Sequence, residues 1–339
     1  MSLPDPTLSN RSSVPSPLLT HIPILSPSQL ASHPYRPDIY PGARDVKTCY
    51  GSMRVYEWGP DTGRRVIMVH GDATCAPLWK DIAEGLVERG CRVIVLDLWG
   101  RGYSSSPNVI HESRIFALQI LFAASSSPLP WCSEPFSIIG FSLGGSITLD
   151  FTASFPRMVR SVALLGPAGM LRSLPEEYAV LQSAVREGNP GDAEMRRLVA
   201  SALGVEENAV EEEQTSKERK EGIDGLAIVR WQFKNHQGHA RSFANTVANG
   251  PLQNQHEVWQ EACDVLKAKQ EARDGKEKLV VVCGNEDDVV PAEHVREDLE
   301  GMMGKERFVF ETVPGGHGFP LGVENGRRIV EVVAEEWGL

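Results

Sequence analysis

The chain has 339 residues, 41% hydrophobic and 23% charged, with a formal net charge of −11; it can bury a large core with an insertion, or form two domains, and its acidic balance argues against nucleic acid or an anionic membrane as partner. Six cysteines, at 49, 75, 91, 132, 263 and 283, form no CxxC pair and no His/Cys ligand spacing, so they read as buried free thiols in a reducing compartment, with disulfides as the alternative. The opening MSLPDPTLSNRSSVPSP has no basic stretch followed by an apolar core, and the most apolar window, Ile115 to Ala124, is broken by Gln119; neither a secretory leader nor a membrane span is expected, and the expected location is cytoplasmic.

Residues 1–45 are rich in Pro and Ser with little periodicity, and read as an extended N-terminal arm partly draped over the core and partly mobile. From residue 46 short β-branched runs appear: Met53 to Trp58, Arg65 to His70, Arg92 to Asp97, Pro135 to Gly140 and Val159 to Leu165. Helical patterns over Leu78 to Glu88, Ser113 to Ser125 and Leu143 to Ser154 separate the later ones. Near-continuous apolar strands between amphipathic helices indicate a parallel sheet covered on both faces. Residues 168–275 differ, with several helical stretches, no good strand, and the charge run VEENAVEEEQTSKERKEG, which reads as a solvated face or loop. The strand–helix rhythm then resumes with a strand from Lys278 to Gly284, a helix from Ala292, a strand from Arg307 to Val313 and a helix near Arg327 to Trp337. The expected organisation is a core of 46–167 and 276–339, interrupted by a helical insertion.

Gly140-Phe141-Ser142-Leu143-Gly144 matches G-x-S-x-G after an apolar strand and before a helical pattern, the context that gives this short motif weight. A serine on so tight a turn has strained backbone angles, and its flanking glycines let strand and helix approach. The turn lifts the Ser142 hydroxyl clear of the sheet and aims the Leu143 N–H, at the helix N-terminus, toward a developing oxyanion. A serine needs a base that is itself held in orientation. The strand KLVVVCG is followed by NEDDVVP, and RFVFETV by PGGHGFP, so both loops fall at the carboxyl edge of the sheet. His317, set between glycines, has no core-packing reason to be there and is the candidate base. Glu286, Asp287 and Asp288 are the candidate acids.

Outside the insertion, the chain from residue 46 onward resembles the α/β-hydrolase superfamily. The resemblance implies an α/β-hydrolase fold, with a mostly parallel central sheet, helices on both faces, and residues 168–275 as a helical cap. In that family the loop after the corresponding strand reads G-x-x-D-x-x-x-P, which places Asp287 in the acidic slot, with Asp288 as the alternative. VIMVHGDAT resembles the strand and His-Gly pair whose next residue, here Asp72, gives the other oxyanion N–H, and His70 then braces the turn. DLWGRGYSSSP is similar to the family's D-x-x-G-x-G-x-S stretch, a shaper of the core. A serine at the elbow separates the chain from the epoxide-hydrolase and dehalogenase branches, which use aspartate.

The carboxylate of Asp72 beside an oxyanion site is unusual, since unscreened it would oppose the anion. It is expected to turn away or be hydrogen-bonded; the alternative is contact with a substrate hydroxyl or amine. His236 and His239, three apart, lack an acidic partner at ligand spacing, and no phosphate-cradling motif is present, so no metal or cofactor is expected. Trp231, Phe233 and Phe243 are expected to pack helix on helix, with an acyl pocket as the alternative. The expected activity is hydrolysis of a carboxylic ester, such as a small or medium ester, a lactone or a monoacylglycerol-like lipid. C–C bond hydrolysis of a β-diketone-like or ring-cleavage product, and a low-turnover ligand-binding member of the fold, are the alternatives. A small acyl substrate is the expected partner.

Overall fold

A computed structural model describes residues 13–188, 190–206 and 223–339. The charge run noted above lies almost wholly outside these residues, as does the start of the N-terminal arm. The rest of the arm carries β1 (Ser13–Val14), α1 (Pro17–Thr20) and α2 (Pro27–Ala31), and then β2 (Arg44–Thr48). The first half of the core follows as β3 (Gly51–Trp58), β4 (Arg64–Val69), α3 (Lys80–Glu88), β5 (Cys91–Leu96), β6 (Ser106–Pro107), α4 (Ser113–Ser125), β7 (Phe136–Phe141), α5 (Leu143–Ser154) and β8 (Val159–Leu165). Among the described residues five helices come next: α6 (Glu176–Gly188), α7 (Asp192–Leu203), α8 (Gly225–Asn235), α9 (His239–Asn249) and α10 (His256–Glu271). The core closes with β9 (Leu279–Gly284), α11 (Ala292–Met303), β10 (Phe308–Val313) and α12 (Val323–Trp337).

Eight strands form one sheet in the order β10-β9-β8-β7-β4-β5-β3-β2, parallel from β10 through β5 and antiparallel across β5–β3 and β3–β2. The period of two sorts the apolar runs between its faces. Ile67 and Val69, Ile94 and Leu96, and Ile138 pack with α4, α5, α10 and α11. Val66 and Met68, Val93 and Val95, and Ile139 pack with α3, α12 and the arm's Tyr35 and Tyr40. Because both faces are covered, the inner parallel strands carry no polar alternation.

The sheet begins earlier than the sequence pattern suggests. Arg44–Thr48, assigned partly to the arm, pairs antiparallel with β3 as an edge strand. Asp45 and Lys47 face solvent, so it lacks the apolar run that marks the inner strands. The arm is tied down by the short β1–β6 ladder and by the Tyr35 hydroxyl, which donates to Asp97 Oδ2 at 2.8 Å. Of the cysteines, Cys49 and Cys132 are exposed and the other four buried, all with free thiols.

Candidate active site

Ser142 caps α5 with φ 53° and ψ −121°, a left-handed conformation costing a non-glycine residue about 1–3 kcal/mol. The surrounding packing enforces it. A Cβ on Gly144 would lie 2.0 Å from the Val69 carbonyl oxygen, and one on Gly140 would lie 2.3 Å from that of Gly144. Larger residues would therefore separate β4, β7 and α5. The Ser142 N–H donates to the Leu165 carbonyl at 3.0 Å, and its own carbonyl accepts from Gly145 and Ala168.

The loops after β9 and β10 bring two more side chains to this turn. His317 Nε2 lies 2.9 Å from Ser142 Oγ, and His317 Nδ1 lies 2.8 Å from Asp287 Oδ2. With Nδ1–H donating to the carboxylate, Nε2 is left as acceptor for the serine hydroxyl. The other oxygen of Asp287, Oδ1, accepts the backbone N–H groups of Val289 and Val290 at 3.0 and 2.8 Å. The carboxylate is thus saturated and buried, while the adjacent Asp288 is exposed. Phe141 packs against the His317 ring at 5.0 Å between centroids. Ser142, His317 and Asp287, far apart in sequence, form one hydrogen-bonded series.

The turn after β4 abuts the serine, for a Cβ on Gly71 would sit 3.0 Å from that of Ser142. His70 Nε2 accepts the Leu98 N–H at 2.9 Å, so Nδ1–H donates to the Gly71 carbonyl at 2.7 Å. Burial lowers His70 to about 3, which keeps the ring neutral in this role. In a trans peptide the carbonyl and N–H point in opposite directions, so this bond fixes the direction of the Asp72 N–H. Among the described residues, no protein acceptor takes the Asp72 or Leu143 N–H.

Asp72 itself is buried. Its Oδ1 forms an ion pair with Arg101, while Oδ2 has no hydrogen-bond partner. Burial raises the Asp72 carboxyl to about 6, and the guanidinium beside it opposes that rise. Sequence reasoning passed over Arg101; its signal was the Gly-Arg-Gly of the stretch read as core-shaping. Gln232 on α8 was passed over too. Its amide donates to the Ala73 carbonyl at 3.1 Å and accepts the Gly102 N–H at 2.8 Å.

A cavity of about 150 Å³ lies over Ser142 and His317. Residues of the 168–275 stretch, including Leu171, Pro175, Tyr178 and Leu252, form part of its lining, and Leu78, Val289 and Leu321 belong to the core. Among the described residues, no lysine or arginine lines it. Trp231 packs instead on His33, Tyr35 and Tyr103, and Phe243 on Tyr178. His236 and His239 lie near the backbone carbonyls of Ser104 and Gly100, at 2.8 and 3.0 Å. No group of side chains able to hold a metal occurs among the described residues.

The model of the alpha/beta hydrolase fold matches residues 64–321 of this chain. A serine hydrolase-like protein of Danio rerio is 30% identical over 141 residues, 41% of this chain and 41% of that relative, so the match spans less than half of its length. A 2-hydroxy-6-oxo-2,4-heptadienoate hydrolase of Pseudomonas putida is 25% identical over 236 residues, 68% of this chain and 75% of the relative. Among solved structures, a hydrolase from Pseudomonas aeruginosa superposes with a TM-score of 0.60 at 18% identity, covering 88% of this chain and 98% of that one.

Proposed function

The chain belongs to the alpha/beta hydrolase family, and from that premise we propose that it is a serine hydrolase of carboxylic esters, acting through an acyl-enzyme on Ser142. The observation that carries the reading is the 2.9 Å contact between His317 Nε2 and Ser142 Oγ, with Asp287 behind the ring at 2.8 Å. His317 takes the hydroxyl proton as Ser142 Oγ bonds to the carbonyl carbon. The Asp72 and Leu143 N–H groups stabilise the resulting oxyanion, each donor contributing about 3 kcal/mol to lowering the barrier. The tetrahedral centre collapses, the bond to the alcohol oxygen breaks, and His317 gives that oxygen its proton. A water molecule, deprotonated by the same histidine, then releases the acid and restores the serine. Asp287 holds the tautomer and steadies the imidazolium.

The helices between β8 and β9 serve in this reading as a cap over a mainly apolar chamber. That lining suits a small or medium neutral ester, a lactone or a monoacylglycerol-like molecule. The Pseudomonas putida relative gives the second reading its support: hydrolysis of a C–C bond in a ring-cleavage product. Such a dienoate carries a carboxylate, and a chamber with no lysine or arginine among its described lining residues offers that anion no cationic partner. The neutral ester therefore ranks first.

A p-nitrophenyl ester series from acetate to laurate, run beside a 2-hydroxy-6-oxo-dienoate and a fluorophosphonate probe, tests these readings. Probe labelling lost in Ser142→Ala, with turnover of at least one ester, is the expected result. Labelling with dienoate cleavage alone would favour C–C hydrolysis. Absence of labelling in folded protein would favour a ligand-binding role.

A further inference from the structure

Arg101 has no exposed surface, yet all five of its N–H donors are used. Nε donates to the Asp72 carbonyl at 3.0 Å. Nη1 donates to the Trp99 carbonyl at 2.7 Å and to Ser242 Oγ at 2.5 Å. Nη2 donates to Asp72 Oδ1 and, at 3.0 Å, to Thr246 Oγ1. One guanidinium thus grips Asp72 at both its carbonyl and its carboxylate, and reaches two hydroxyls on α9. The approach of α9 is built in: Gly100 has φ +71°, and a Cβ there would lie 2.1 Å from Ser242 Oγ.

A buried charge of this kind is costly unless fully paired, and it is weak evidence for stability alone. Its position gives it a clearer role. We propose that Arg101 is a positioning residue of the oxyanion site, orienting the Asp72 backbone, neutralising the Asp72 carboxylate beside the developing anion, and coupling both to the seating of the helical insertion through Ser242 and Thr246. The proposal rests on the hydrolase reading given above. Arg101 touches no reacting atom; it acts through Asp72. It also accounts for a carboxylate at a position where an anion forms, because the paired charge presents little field to the oxyanion.

The consequence is a double-variant test on the full chain with a p-nitrophenyl ester. Arg101→Gln removes the partner that opposes the burial-driven rise of Asp72, so the carboxyl is ionised and unpaired beside the oxyanion only on the alkaline side; assayed there, kcat should fall about tenfold or more with KM little changed. Adding Asp72→Asn removes the stranded charge, so the double variant should recover a substantial part of kcat. A purely structural role would give equal losses in both, following their thermal stability, and that result would overturn the proposal. If Arg101→Gln does not fold, Ser242→Ala carries the test, since it removes one acceptor on α9 and keeps the ion pair. A kcat several-fold lower at constant KM supports the coupling; an unchanged kcat refutes it. Wild-type protein that neither labels with fluorophosphonate nor turns over ester removes the hydrolase reading and this inference with it. Active wild type with an unaffected Arg101→Gln removes this inference alone.

Discussion

The two sides of the candidate site are held by different physics. On the Ser142 side, backbone does the positioning: parallel strands β7, β9 and β10 end at one sheet edge, and each presents its residue on the loop that follows. The Asp72 side is held by buried polar side chains. His70 fixes the preceding peptide, Arg101 grips the residue, and Gln232 spans the two loops from α8. Backbone ladders persist through most substitutions, whereas a buried side-chain network fails at any one member. The first side is accordingly a scaffold, and the second depends on side chains that reach it from α8 and α9.

Breaking the Ser142 side should cost most. Ser142→Ala should lower kcat by about 10⁵-fold or more, since the remaining groups cannot replace a nucleophile. Asp287→Asn should cost about 10⁴-fold in kcat by favouring the wrong tautomer; Asp288→Asn, at an exposed neighbour, should leave the rate within experimental error. Steady-state kinetics with one p-nitrophenyl ester measures all three. A large loss in Asp288→Asn with little in Asp287→Asn would reverse the assignment of the acid.

The Asp72 side should respond in stability first. Gln232→Leu strands the Gly102 N–H and the Ala73 carbonyl, a loss of about 1–3 kcal/mol readable by urea unfolding. A variant as stable as wild type would show that this bridge is not needed.

Acid should separate the two sides further. Burial lowers His70 and His111 to about 3 and His236 to about 4, and holds His239 well below its ordinary value. Each ring is neutral when folded and charged when unfolded below about pH 6.5. Every such histidine therefore costs the folded state about 1.4 kcal/mol per unit as pH falls from about 6.5 toward about 4. Burial raises Asp72 and Asp97 to about 6, and these act oppositely: their stabilising contribution is present at acid pH and lost as pH rises through about 6. Burial also raises Asp150 and Asp298, but Glu57 and Glu277 are held below their ordinary values and lose their contribution on acidification together with the four histidines, so unfolding free energy should decline on the acid side. His236→Asn should flatten that slope by about one proton. An unchanged slope would mean that His236 does not titrate on unfolding.

This contrast also explains what could be read from the sequence. Ser142 stood out because its glycines are spaced as a strand-to-helix turn requires, and His317 because a histidine between glycines has nothing to pack against. Asp287 needed the family resemblance to separate it from Asp288, and its two backbone donors show why only one of them faces the ring. The inner strands were visible as apolar runs, while edge strand β2, alternating charged residues outward, was not. Arg101 stood in a legible Gly-Arg-Gly, but its role was not legible, for a different reason. Its partners Asp72, Ser242 and Thr246 lie 29, 141 and 145 residues away, and no local periodicity encodes a contact between a loop and a helix so distant.

The central claim is that Ser142, activated by His317, carries the acyl group. Rapid acid quench of the protein during p-nitrophenyl ester turnover, followed by intact-mass and peptide-mass measurement, tests it directly. The account predicts one acyl group per chain, on the peptide containing Ser142 and absent from Ser142→Ala. Turnover that persists in Ser142→Ala, with no adduct in either protein, would contradict it.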